Sequence, residues 1–160
     1  MAKSQTYWAD LKAAKEGETI SMNYFSSLGY EIEDVSDNSI YWSKDIDFIA
    51  HKADRHIAIE VKFDGNIHYT NNILLEIKNL TSGHDGWAIF SQAEFLTIVS
   101  RETHAIYIAR LEDLRQFMST NYCRTIFNID ADGSKYKSKL VSIKDFINAG
   151  YTMEIIKEVA

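Results

Sequence analysis

Proline is absent from all 160 residues. Turns and helix ends must then be set by seven glycines and by clusters of small polar residues. Cysteine occurs once, at Cys123, which excludes a disulfide framework and a cysteine-built zinc site. A reducing compartment fits that usage. No apolar run approaches the roughly 18 residues that a membrane helix needs. The first residues lack the apolar core of a secretory leader. No membrane partner and a cytoplasmic location are expected. Basic residues are the minority, 17 Lys and Arg against 23 Asp and Glu, for a net charge of −6. That excludes a general coat for nucleic acid, although it permits a local basic groove. There is no P-loop, no GxGxxG and no GxSxG. His51, His56, His68, His84 and His104 form no HxxxH pair, so zinc is not expected. Repeats and linkers are missing too, and the length suits one domain over 1–160 that can bury its own core.

The patterning predicts a mixed α/β chain. Residues 4–15 read as a helix interrupted by Gly17, and 18–28 as a second helix ended by Gly29. Strands are predicted at 30–35, 40–42, 46–51, 57–63, 73–78, 95–99 and 105–109. Ser36-Asp37-Asn38 and Ala53-Asp54-Arg55 supply turns. Leu111, Leu114, Phe117 and Met118 have helix spacing. Residues 140–143 read as a short strand or a helix lead-in. Ser142-x-x-Asp145 resembles a capping box opening a last short helix.

One stretch departs from ordinary patterning. In IAIEVKFD, residues 57–64, side chains alternate across the strand. Ile57, Ile59, Val61 and Phe63 share an apolar face, and Ala58, Glu60, Lys62 and Asp64 share the other. Charges buried unpaired are costly, so Glu60 and Lys62 must meet water, each other or an ion. A solvated outer face is the plain reading. The segment before it, residues 44–56, makes a hairpin with this strand and carries Asp47 between Ile46 and Phe48. Asp47, Glu60 and Lys62 can converge on neighbouring strands. Two carboxylates there form a hard oxygen site suited to Mg²⁺ or Mn²⁺. Such an ion stabilises charge on a phosphate and acidifies a bound water, and a nearby ammonium can orient that water.

The order IDFIA, turn, IAIEVK resembles the signature of the PD-(D/E)xK nuclease superfamily. Asp47 matches its first acid, Glu60 its second and Lys62 its lysine. Ile46 stands where the signature has proline, and Asp45 competes for the first acid. Archaeal junction resolvases of this superfamily carry a glutamate in the helix before the motif. Glu18, sharing a helical face with Met22 and Phe25, occupies that place. A helix N-terminal acid favoured by the dipole is the alternative. Downstream, residues 71–99 resemble phage-type members, although Asn71 replaces a glycine and Glu94 an aspartate. The likeness spans about residues 16–115.

The resemblance implies a restriction-endonuclease-like fold, a mixed central β-sheet flanked by helices. It implies a nuclease that hydrolyses DNA, structure-selective in the narrower reading, with Mg²⁺ or Mn²⁺ between Asp47 and Glu60 and the Val61 carbonyl as a third ligand. Glu76, on the strand face of Leu74 and Lys78, would lie near the metal if its strand neighbours that of Glu60; a cross-strand salt bridge is the alternative. Lys44, Lys62, Lys78 and the Lys135–Lys139 stretch, with Lys135 and Lys137, are expected to rim one groove and hold phosphates. His84 in a loop, and Trp42, Tyr69 and Trp87 as stacking rings, are weaker candidates. A junction resolvase acting as a homodimer, and a non-catalytic binding module that kept the fold, are the two alternatives.

Overall fold

The computed structural model describes residues 5–157. Its first element is one helix, α1 (Gln5–Ser27), where the sequence predicts two. Gly17 stays helical because the helix touches the sheet there: a Cβ at that position would lie 2.8 Å from the Phe63 Cβ. Close approach, not helix termination, explains the glycine. Gly29, at φ 85°, is the stop. The predicted start at residue 4 lies outside the described residues.

The remaining elements are β1 (Glu31–Asp34), α2 (Ser39–Trp42), β2 (Phe48–Lys52), β3 (Arg55–Asp64), α3 (Ile67–Thr70), β4 (Asn72–Asn79) and α4 (Trp87–Phe90). They continue with β5 (Phe95–Ser100), β6 (Ile106–Arg110), α5 (Leu111–Thr120), β7 (Arg124–Ile129), β8 (Lys135–Ser142), α6 (Ile143–Asn148) and β9 (Glu154–Ile156). Six strands form a mixed sheet in the order β1-β2-β3-β5-β6-β9, in which only the β3–β5 pair is parallel. A second, antiparallel sheet has the order β4-β8-β7.

Strand β3 explains the layering. Its Ile57, Ile59 and Val61 join Phe48, Ala50, Val99 and Ile106 under Phe25 of α1. On the other face, Ala58, Leu96 and Ile98 join Ile73, Leu75 and Val141 of the small sheet and Leu111, Phe117 and Phe146 of the later helices. The chain is therefore mixed α/β, as the pattern predicts, with a central mixed sheet flanked by helices.

Four local expectations fail for identifiable reasons. Residues 40–42 form a helical turn, because Asn38 caps it by accepting from the Ile40 amide at 3.1 Å. Strand β4 lies in the small sheet and does not neighbour β3. No strand is predicted over β7, the Lys135–Lys139 stretch of β8 reads as a basic patch, not as strand, and β9 is a three-residue edge without a pattern of its own. Two helical turns, α3 and α4, are too short for a periodic signal.

Candidate active site

Strand β2 begins one residue after Asp47. The ladder nevertheless extends to it: the Asp47 amide donates to the Ile59 carbonyl at 2.9 Å, and its carbonyl accepts from Val35 at 3.0 Å. The backbone thus fixes Asp47 beside β3, and its Oδ2 accepts from the Val61 amide at 2.8 Å. Glu60 projects from β3 on the face away from α1 and is only 3% exposed. Its Oε1 accepts from the Lys62 ammonium, while Oε2 is buried with no hydrogen-bond partner. Lys62 is half-buried, lies 4.0 Å from Asp45 Oδ2 and sits 4.6 Å from the centre of the Trp87 ring. Asp45 adopts φ 51°, an uncommon backbone for an aspartate, and its Oδ2 is also buried without a hydrogen bond. Asp45 and Asp47 both reach the centre, so they do not exclude each other.

The electrostatics follow from crowding acids in a dry place. Burial pushes the Glu60 carboxyl well above the usual range; Lys62 opposes this, and Asp47 and Asp45 add to it. Burial likewise raises Asp47, against Lys62 and the Val61 amide. For Lys62, burial alone would lower the ammonium, but Glu60, Asp45 and Asp47 outweigh it and the net shift is upward. Glu18 points inward from α1 and is buried. Burial and then Asp47 raise its carboxyl, while Lys15 donates to it at 3.1 Å. Lys15 also donates to Ser36.

Glu76 arrives by a route the sequence did not suggest. It belongs to β4 in the other sheet, yet Lys62 and Asp45 both act on it. Burial, then Asp130, lifts its carboxyl to about 7. Asn128 donates to it at 3.4 Å, and Asn128 Oδ1 accepts from Ser138 at 2.6 Å. Gly86 lets the following loop press on this strand, since a Cβ there would stand 2.2 Å from the Glu76 carbonyl oxygen.

The lysines divide. Lys44 directly precedes Asp45 in the chain, and its ammonium lies over the Tyr41 ring at 5.4 Å. Lys78 and Lys137 are cross-strand partners, and Glu76 pairs with Ser138. Alternation along β8 sets Lys135 and Lys137 on the face of the small sheet opposite Ser138 and Glu76, and a β-bulge between Glu76 and Lys78 breaks the alternation of β4 and carries Lys78 to that face too. Lys78 is bridged to Asp85 at 3.4 Å. Lys139 donates to Thr125 at 2.7 Å. These four do not share the face that carries Glu76. Trp87 is buried beneath Lys62, while Trp42 and Tyr69 are exposed. His84 lies in the exposed loop before α4.

Among the described residues, no three His, Cys, Asp or Glu side chains are arranged as a ready-made metal cage. At this centre the Lys62 ammonium stands between Glu60 and Asp45, where a cation would sit. The donor set nevertheless suits a divalent ion: hard carboxylate oxygens, two of them, Asp45 Oδ2 and Glu60 Oε2, buried without a hydrogen bond. Elsewhere, the β2–β3 hairpin brings His51 Nδ1 within 2.6 Å of His56 Nδ1, with Glu33 2.9 Å from His51 Nε2. The sequence spacing hid that pairing, because it depends on cross-strand register.

No family model matches the chain, and no curated protein does. Among solved structures, a bacterial homing endonuclease, I-Ssp6803I, is similar with a TM-score of 0.47 and 12% identity, over 85% of this chain and 75% of that one.

Proposed function

We propose that this chain is a metal-dependent nuclease that hydrolyses phosphodiester bonds in DNA, with residues 1–160 as one PD-(D/E)xK-like domain. The observation that supports it most is Glu60: a buried carboxylate, one oxygen unpartnered, set between further carboxylates and an ammonium. Packing a sheet does not require such a cluster, and a buried unpaired charge destabilises a fold.

In this reading Asp47 and Glu60 hold Mg²⁺ or Mn²⁺, with the Val61 carbonyl and Asp45 at hand. The bound ion supplies charge stabilisation for the phosphate and lowers the pKa of a water. Lys62, steadied over Trp87, turns its ammonium toward the reacting phosphate and balances developing charge. Glu18, tied to Lys15, orients Asp47 by repulsion from behind. Glu76, titrating near neutrality, exchanges a proton with water on the Lys62 side. DNA as substrate, cleavage selective for structure, and a cytoplasmic setting belong to the same proposal.

Incubation with Mg²⁺ and linear, circular, flapped or four-way DNA tests it. Cleavage that chelation stops and that Glu60→Gln and Lys62→Ala abolish is expected. Folded protein inert on every substrate with Mg²⁺ and Mn²⁺ would return the chain to the non-catalytic reading.

A further inference from the structure

The small sheet ends in β7, whose one neighbour among the described residues is β8. This edge is apolar: Phe127 is 71% exposed and Ile129 67%. An open apolar edge is a template for another strand. The chain itself carries the complement. In an antiparallel pair of β7 strands about a two-fold axis perpendicular to the sheet, every side chain keeps its face. Residues that oppose each other must then be an even number apart in the chain.

The even register centred on Phe127 sets ring against ring and Thr125 opposite Ile129. It also sets Arg124 opposite Asp130, twice by symmetry. Arg124 is exposed. Asp130 lies in the field of Asp132, Asp10 and Glu76, opposed by Lys62, so a cation from outside suits it. Sliding two residues one way puts Arg124 against Asn128. Sliding the other way puts Ile126 against Asp130 and carries Arg124 off the strand to the hairpin turn.

We propose that two copies of this chain associate through antiparallel β7 edges in that register, giving one six-stranded sheet in the order β4-β8-β7-β7-β8-β4. The two Glu76 strands then lie five spacings apart, about 24 Å. A six-residue edge is at the small end of specific interfaces, so a dissociation constant on the order of 10 μM is expected.

Sedimentation velocity on the full chain, from about 1 to about 300 μM, reads the monomer–dimer equilibrium across that constant. The wild type should shift to dimer as concentration rises. Arg124→Asp alone meets acid with acid, and Asp130→Arg alone meets base with base, so each should stay monomeric. An equimolar mixture of the two restores both bridges and should dimerise. That mixture also shows that both variants are folded. If either variant loses its folded circular dichroism, Phe127→Lys replaces it and should be monomeric. A wild type monomeric throughout, single variants that dimerise like wild type, or a mixture that stays monomeric overturns the proposal.

Discussion

Burial, with Asp47 and Asp45 beside it, opposes negative charge on Glu60, so removing that charge should help the fold while ending its chemistry. Glu60→Gln keeps the shape, relieves repulsion with Asp47 and Asp45, and should raise the apo melting temperature by about 3 °C. Lys62→Ala should do the reverse. It leaves the acids uncompensated and, after allowance for a half-exposed lysine, should lose about 1–3 kcal/mol. Mg²⁺ should return more stability to Lys62→Ala than to wild type, because it replaces the missing cation; equal shifts in a thermal melt would argue against ion entry here. Glu76 adds a pH dependence. Its carboxyl titrates at about 7 in the fold and near 4.3 unfolded. Between those values the folded chain binds the extra proton, so stability falls as pH rises through the window and the loss is complete above it. Calorimetry from pH 5 to 8 should show a falling melting temperature, and Glu76→Gln should flatten that slope. At this scale much was legible. Period-two alternation exposes Glu60 and Lys62, and helical spacing turns Glu18 inward. Lys15, Asn128 and Trp87 were not legible as neighbours, since only the packing of α1, β7 and α4 brings them near.

Elements were legible where one face is continuously apolar, as in β3 and α5. They were misread where a local device overrides the pattern. Asn38 turns three strand-prone residues into α2, and Gly17 mimics a helix break. Lysines on β8 look like a solvated loop because their other-face partners, Ser138 and Leu140, are not a strong apolar run. The sharpest test at this scale is Gly86. Its φ of −77° suits any residue, so Gly86→Ala acts through sterics alone. The new Cβ would meet backbone, 2.2 Å from the Glu76 oxygen and 2.4 Å from its carbon, and backbone cannot swing aside. Loss of about 3 kcal/mol is expected, as for an overpacked core. The control is Gly83, at φ 78° with nothing near its Cβ position. Gly83→Ala should cost about 1 kcal/mol through backbone strain. Chemical denaturation separates the two, and similar losses would remove the argument that the loop seats α4 and so Trp87 under Lys62.

The whole molecule carries excess acid, and Glu18, Asp45, Asp47, Glu60 and Glu76 gather around one centre, so its affinity for an anionic polymer should hinge on cations. Bound divalent ions would reverse the local sign there while the summed charge still repels at long range. Fluorescence anisotropy with duplex DNA in Ca²⁺ should show binding that chelation removes. Few free lysines stand near the centre: Lys15 is engaged by Glu18, and Lys44 lies over Tyr41. The salt slope should therefore be shallow, equivalent to about two to four phosphate contacts. The division of lysines between faces sharpens this expectation. Lys44→Ala should lower affinity and reduce the slope by about one contact. Lys137→Ala should change neither, because Lys137 lies on the face of the small sheet opposite Glu76. If instead Lys137→Ala weakens binding as much as Lys44→Ala, DNA lies across the far face of that sheet. Tight binding without metal would mean that a surface other than the Asp47–Glu60 centre holds the polymer.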